Sequence, residues 1–171
     1  KLSNIDILIC ADGSMEADET PTIELGCRGM LYTHLEIETG NENLHSGKSS
    51  GMMRNAAFEV SKILNSLKDD EGNALLDGFY ENVRNPTERD LENTRDIEKR
   101  TEFSDEDNHD FGKGKGLEKK YLYPQLNIAG VESGYGGSGA ETVIPSSAKA
   151  SIGVRMVADQ SSQGIFEKLE R

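Results

Sequence analysis

The chain has 171 residues, 35% of them hydrophobic, which predicts one domain, or one domain with a piece of another. Its 31 acidic and 19 basic residues give a formal net charge of -12. Such a surface repels nucleic acid and anionic membranes, so we expect neither as a partner. No apolar run reaches transmembrane length, and no secretory signal is visible.

The only cysteines are Cys10 and Cys27. Disulfides are rare in the cytoplasm, and two isolated cysteines favour buried free thiols in a cytoplasmic protein. A disulfide between the two is the alternative.

The N-terminal part of the chain has the pattern of a different fold from the remainder. Residues 5–11 form a nearly continuous apolar run, which predicts a strand buried on both faces, as in a parallel α/β sheet. Asp12 follows at the carboxyl end of this strand, where α/β sheets hold their active sites. Taken alone, Asp12 is a loop residue or a helix cap. Residues 15–22 predict a loop and residues 23–25 a short strand.

The next elements predict an antiparallel sheet and its covering helices. Residues 30–38 alternate between apolar and polar side chains, as in a half-buried strand, with His34 on the polar face. Apolar residues then recur at helical spacing over residues 52–68, and we expect this helix to cover the sheet. They are Met53, Ala56, Ala57, Val60, Ile63, Leu64 and Leu67. Residues 87–100 predict a second, charged helix.

The last part of the chain completes the predicted sheet. Residues 104–120 are rich in glycine and charge and predict a mobile loop in which His109 is solvated. Residues 124–130 and 148–156 predict strands, followed by a helix capped by Asp159 or Ser161. The predicted fold is α+β: one antiparallel sheet covered on one face by two α-helices, with an N-terminal remnant of an α/β domain. We expect a further strand after the last helix.

Several chemical signals in the sequence are weak. The glycine-dense residues 134–139 superficially match a phosphate-binding fingerprint, but they lead into a predicted strand rather than a helix N-terminus. Ser46 beside His45 has no nucleophile elbow, which argues against a serine triad. From residue types alone, the loop that contains His45 is better interpreted as a polar strand-to-helix connection than as a functional site.

A set of motifs occurs in order along the chain. They are Asp12 after the apolar run, Gly26-Cys27-Arg28-Gly29, Leu44-His45-Ser46-Gly47 with Gly51 and Asn55, Gly78-Phe79-Tyr80, Gly137-Ser138-Gly139-Ala140-Glu141-Thr142-Val143-Ile144-Pro145, and Val154-Arg155-Met156-Val157. This series resembles the M20 family of zinc-dependent peptidases and amidohydrolases over almost the whole chain. The Gly-Phe-Tyr and Gly-Ser-Gly-Ala segments are most similar to the carnosinase-like dipeptidase branch.

The resemblance implies a role for several residues. Residues 1–27 would end a segment of the catalytic domain, and residues 28–171 would form the dimerisation, or lid, domain. Asp12 matches a carboxylate ligand to one of two zinc ions. His45 matches a histidine that reaches across a homodimer and steadies the substrate carbonyl as it becomes an oxyanion. Thr142 and Arg155 match residues that bind the carboxylate of a small peptide or N-acyl amino acid.

The chain also departs from the family pattern. The His-x-Asp ligand motif, the Glu-Glu pair and the last histidine ligand are absent, so we expect these 171 residues alone to bind no zinc and to be inactive. Ser49-Ser50-Gly51 replaces a common double glycine, and Glu141 replaces a common lysine. The alternative is a non-catalytic α+β interaction module in which His45 and Arg155 are surface residues.

Overall fold

A computed structural model describes residues 6, 7, 9, 26–100 and 112–171 of the chain. The elements in chain order are β1 (Gly29–Glu38), β2 (Leu44–His45), α1 (Ser46–Ser49), α2 (Ala56–Ser66), α3 (Glu88–Arg100), α4 (Glu118–Tyr121), β3 (Gln125–Ser133), β4 (Val143–Ile144), β5 (Ser147–Met156) and α5 (Ser162–Leu169). None of the described helices combines the length and the apolar character needed to cross a membrane.

The three long strands form one antiparallel sheet in the order β1-β5-β3. The predicted alternation in β1 is confirmed, because Leu31 and Leu35 point toward the core while Tyr32 and His34 are exposed. Strand β5 is central, and its inward side chains are almost completely buried, with Val154 at 0% exposure. The opposite face of this sheet carries polar and charged side chains together with the exposed Met30 and Tyr32.

Helices α2 and α5 cover the apolar face, which confirms the predicted α+β arrangement. Val60 and Leu64 of α2 and Ile165 of α5 share one core cluster with Phe79 and with the inward residues of β5. Ser161 caps α5, as predicted, because its side chain accepts a hydrogen bond from the Gly164 N–H at 3.0 Å. The charged helix predicted over residues 87–100 is also present as α3.

Helix α2 starts later than the apolar spacing predicted. Asn55 is its N-cap, and its side-chain Oδ1 accepts a hydrogen bond from the Phe58 N–H at 3.2 Å. The residues before it form a turn, so Met53 is 46% exposed rather than part of the core. Ile63 is 40% exposed, since it lies at the boundary of the buried stripe.

Two further predictions were wrong where the structure describes them. Residues 118–120, the last three of the loop predicted over residues 104–120, belong to helix α4, because Leu117 is an apolar anchor that becomes buried and leads into the helical turn. Cys27, predicted to be buried, is an exposed free thiol in the extended segment before β1. Cys10, His109 and residues 101–111 lie outside the described part of the chain.

The predicted N-terminal strand is not formed at its described positions. Ile7 is 77% exposed and Ile9 83% exposed, and neither is in a strand. A strand needs a neighbour to satisfy its backbone, and no described strand pairs with this segment. The loop and short strand predicted over residues 15–25 lie outside the described residues, as does Asp12.

Candidate functional site

His45 lies on a small two-stranded sheet that sequence periodicity did not predict. Strand β2 pairs antiparallel with β4, so that His45 is opposite Val143. The Ser46 N–H donates to the Thr142 carbonyl at 2.9 Å and extends this pairing by one step. Asn43 adds a second link, because its Oδ1 accepts from the Ser146 N–H at 2.9 Å. The histidine is therefore held on a hydrogen-bonded scaffold rather than on a free loop.

Both ring nitrogens of His45 have partners. The Gly47 N–H donates to Nδ1 at 3.0 Å, and this bond also caps the short helix α1. On the other side of the ring, Nε2 lies 3.0 Å from the Thr142 hydroxyl oxygen. The side chain remains exposed, so the ring is oriented within its own chain while one face stays open to a ligand.

Arg155 lies at the other end of the molecule, on the exposed face of β5. It is opposite Met30 of β1 and opposite Gln125 of β3. Arg28 lies one residue before β1, beside Arg155. Burial, followed by the positive charge of Arg155, lowers the pKa of the Arg28 guanidinium below its ordinary value.

The two arginines have no counter-charge in the described residues. The Nη1 atom of Arg28 is buried and has no hydrogen-bond partner there. No described carboxylate forms an ion pair with Arg28 or with Arg155. Two adjacent guanidinium groups without an acid are suited to receive a carboxylate in a bidentate geometry.

The structure brings His45 and Thr142 together but separates them from Arg155. The small sheet lies beyond the Ser147 end of β5, where the Thr39 N–H donates to the Ser146 carbonyl at 2.8 Å. Arg155 is eight residues further along β5, which corresponds to about 26 Å at the usual rise of a strand. An extended dipeptide spans at most about 7 Å. One copy of this chain therefore cannot place both groups on the same dipeptide.

The described residues do not form a metal centre. Within residues 26–100 and 112–171, and at positions 6, 7 and 9, no group of three or more His, Cys, Asp or Glu is placed to hold a metal ion. His34 is exposed as predicted, and its Nδ1 lies 3.2 Å from the Ser151 hydroxyl. The predicted ligand Asp12 lies outside the described residues.

Some residues gain importance only from the structure. Gly47 and Arg28 stood in predicted motifs without a role of their own, and each now contacts or adjoins a candidate site residue. Phe79 and Tyr80, also from a motif, are structural. Phe79 is 1% exposed, and the Tyr80 hydroxyl accepts a hydrogen bond from the Ala74 N–H at 3.0 Å.

Comparisons with known proteins agree on one family. A sequence model described as the peptidase dimerisation domain of the M20 group matches residues 25–171. The Cys-Gly metallodipeptidase DUG1 of Saccharomyces cerevisiae is 30% identical over 176 residues, covering 98% of this chain and 36% of that protein. The human Beta-Ala-His dipeptidase is 26% identical over 174 residues, covering 99% of this chain and 34% of that protein.

Solved structures give the same result. An M20 family metallo-carboxypeptidase from Sulfolobus solfataricus superposes with a TM-score of 0.77 at 30% identity, covering 92% of this chain and 37% of its own. Human carnosine dipeptidase 1 gives a TM-score of 0.72 at 26% identity, covering 84% of this chain and 32% of its own. The chain thus spans about a third of the length of these relatives.

Proposed function

Because the chain belongs to the M20 peptidase dimerisation domain family, we propose that it is the dimerisation domain of a longer, cytoplasmic metallodipeptidase. In this proposal residues 1–27 end a catalytic-domain segment and residues 28–171 form the dimerisation domain. Two copies associate as a homodimer, and the substrate is a small peptide with a free carboxylate.

His45 is proposed to act on the scissile carbonyl. The His45 ring is already held by a backbone amide and a hydroxyl group at 3.0 Å, so little further conformational entropy is lost when the substrate binds. Its Nε2–H is suited to donate to the carbonyl oxygen as negative charge develops there. Thr142, which the family resemblance assigned to the substrate carboxylate, is proposed to meet the substrate from the same side as His45.

Arg155 is proposed to bind the substrate carboxylate, with Arg28 beside it. The support is the pairing of two guanidinium groups that have no acid partner among the described residues. A carboxylate bound beside them relieves the repulsion between the two charges.

The observation that carries the proposal is the separation of these two groups along β5. His45 and Arg155 serve the same dipeptide only if they come from different copies, so the active site is composite. Dimerisation then has a catalytic purpose, because each copy supplies His45 to the site of its partner. The same separation argues against a site built within one copy.

Metal chemistry is proposed for the longer enzyme. The relatives are metallopeptidases by name, and we propose zinc as the metal, with Asp12 as one carboxylate ligand. The described residues of this chain do not provide a metal centre, so their proposed work is to position the substrate carboxylate and the carbonyl.

The test is complementation between two inactive variants of the longer enzyme. His45→Gln and Arg155→Gln are prepared separately, each with greatly reduced dipeptidase activity, then dissociated and reassociated together. With a composite site, half of the chains pair as heterodimers in which one of two sites is intact, so activity returns to about a quarter of wild type. A site built within one chain gives no recovery, since every site then contains one substitution.

The controls use the same mixing procedure. Each variant mixed with itself must remain inactive. The His45→Gln, Arg155→Gln double variant mixed with wild type must show no more dipeptidase activity than the wild-type chains in the mixture would give alone. If neither substitution lowers activity at all, the non-catalytic interaction module is the better account of the chain.

A further inference from the structure

We propose that Gly47 is a positioning residue that fixes the tautomer and the orientation of the His45 ring. This inference rests on the proposed function of His45 and adds to it the protonation state in which the ring acts. The supporting observation is a hydrogen bond within the His-Ser-Gly turn, which joins the backbone amide of Gly47 to Nδ1 of His45.

The hydrogen bond at Nδ1 defines the tautomer. The Gly47 backbone amide is always a donor, so Nδ1 must accept and cannot carry a proton while this bond of 3.0 Å is present. A neutral imidazole then carries its proton on Nε2. Nε2–H therefore donates to the Thr142 hydroxyl oxygen 3.0 Å away, and the hydroxyl keeps its own proton for another acceptor.

The absence of a side chain at position 47 allows this bond. A Cβ on Gly47 would lie 2.9 Å from Cε1 and 3.2 Å from Nδ1 of His45, so the ring would have to move off the amide. The backbone of Gly47 is not in the left-handed region, unlike that of Gly51, whose φ is 83°. Glycine is thus needed here for the approach of the ring and not for the backbone conformation.

The consequence is a donor that is prepared before substrate binds. The tautomer with a proton on Nε2 presents an N–H on the side of the ring that faces Thr142 and solvent, which is the group an oxyanion requires. A ring released from Gly47 rotates about χ1 and χ2 and exchanges its proton between the two nitrogens. Fewer rings then point a donor at the carbonyl, even though the histidine is still present.

The first test uses nitrogen-15 NMR of the imidazole rings in the 171-residue chain, at a pH where they are neutral. We expect His45 of the unsubstituted chain to show an unprotonated Nδ1 and a protonated Nε2, with the His45→Gln variant assigning the signals. In Gly47→Ala, the Nδ1 signal is expected to move toward the exchange-averaged value of a free imidazole. His34 is the internal reference, because its Ser151 contact on β5 reports an intact sheet.

Two further variants separate Gly47 from its neighbours. Gly40→Ala is the matched control, since a Cβ there meets only Ser146 Cβ at an ordinary 3.9 Å, and the His45 signals should not change. Thr142→Val removes the acceptor of Nε2–H but keeps the Gly47 bond, so Nδ1 should stay unprotonated. A protonated Nδ1 in the unsubstituted chain overturns the proposal. So does a tautomer that changes in Thr142→Val but not in Gly47→Ala while the His34 signals are native.

Steady-state kinetics of the longer enzyme distinguish the proposed role of His45 from the proposed role of Gly47. Loss of one oxyanion donor costs about a hundredfold to a thousandfold in kcat, which is expected for His45→Gln. Gly47→Ala should lower kcat by at least about tenfold with KM nearly unchanged. The loss should be smaller than for His45→Gln, because the donor is misplaced in only part of the population. If His45→Gln leaves kcat intact, the proposed function fails while the NMR result still decides the role of Gly47. If Gly47→Ala shifts the tautomer and kcat is unchanged, the positioning role is overturned.

Discussion

Arg28 illustrates how a single residue can be unfavourable for the isolated chain and useful to a site. Its guanidinium has a buried Nη1 without a partner among the described residues, and it lies beside the charge of Arg155. A buried donor left unsatisfied costs about 1–3 kcal/mol, and the adjacent like charge adds to that cost. We interpret this arrangement as a carboxylate site whose stability cost is offset when the ligand binds.

Replacing Arg28 by Met is therefore expected to have opposite effects on stability and on substrate binding. In the 171-residue chain, the free energy of unfolding should rise by about 1 kcal/mol, because an apolar side chain of similar length removes the unsatisfied donor. In the longer enzyme, KM for a dipeptide should rise about tenfold, since a hydrogen bond to a charged group contributes about 1.5 kcal/mol or more. Urea denaturation and steady-state kinetics measure the two effects.

Arg95→Met is the control for this substitution. Arg95 is exposed on α3 and lies 3.6 Å from Glu88, so its removal should change stability by less than about 0.5 kcal/mol and leave KM alone. A destabilised Arg28→Met chain whose longer enzyme keeps its KM would instead assign Arg28 a purely structural role.

At this scale the sequence predicts candidate site residues but not the contacts that hold them. His45 and Arg155 were predicted as site residues from the motifs around them. The hydrogen-bond partners of His45 were not predicted, because its contact with Thr142 spans 97 residues of chain. The role of Gly47 depends on how closely an imidazole approaches a backbone amide, which spacing in a sequence does not encode.

Among the helices, α3 has the clearest self-contained start signal. Thr87 and Asp90 form a reciprocal capping box, in which the Asp90 carboxylate accepts from the Thr87 N–H at 2.8 Å and the Thr87 hydroxyl oxygen accepts from the Asp90 N–H at 3.2 Å. The hydrogen bond from the Thr87 hydroxyl, at 2.7 Å, is the main cause that lowers the pKa of Asp90.

The capping box gives the helix a predictable response to acid. A carboxyl group whose pKa is lower in the folded state stabilises that state above its unfolded pKa of about 4 and loses this contribution as the pH falls through the folded value. Asp90→Asn should therefore lower the urea midpoint at pH 7 and show a smaller further loss between pH 5 and about pH 2 than the unsubstituted chain. Circular dichroism of urea titrations at several pH values measures both.

Asp96→Asn on the same helix is the comparison for Asp90→Asn. Asp96 contacts Lys99 at an exposed position, so this variant should change the urea midpoint at pH 7 much less than Asp90→Asn does. An identical acid response in Asp90→Asn and the unsubstituted chain would show that the capping box does not contribute to the pH dependence.

Long, periodic elements were the ones the sequence predicted correctly. In strands β1 and β5, inward and outward side chains alternate along the whole length, and the buried residues of α2 recur at helical spacing. The burial of one face therefore determines the type of each element. Strands β2 and β4 have two residues each and show no period. They exist because their backbones pair with each other, and this small sheet is what holds His45.

At the scale of the whole molecule, the proposed composite site requires a second copy close to His45. Apolar side chains are exposed directly after the His45 turn: Met52 is 75% and Phe58 63% exposed, and Phe58 points away from the buried stripe of α2. Single exposed apolar side chains are common on protein surfaces, but they mark an interaction site where they lie together. Because the family is one of dimerisation domains and both residues follow the His45 turn in the chain, we expect a second copy of the chain to cover this Met52 and Phe58 patch.

Phe58→Glu is therefore expected to prevent self-association and, in the longer enzyme, to lower activity together with it. The introduced carboxylate would have to lose its hydration in the dimer, which is unfavourable even though the Lys62 ammonium lies 5.7 Å from the centre of the Phe58 ring, whereas in the monomer it stays solvated. Sedimentation equilibrium should show a monomer–dimer equilibrium for the unsubstituted chain and a monomer for the variant over the same concentrations.

Leu75→Glu is the matched control, since Leu75 is 54% exposed but lies outside this patch, and it should dimerise normally. A Phe58→Glu chain that dimerises as well as the control would move the interface elsewhere. A monomeric variant whose longer form keeps full activity would contradict the composite site itself.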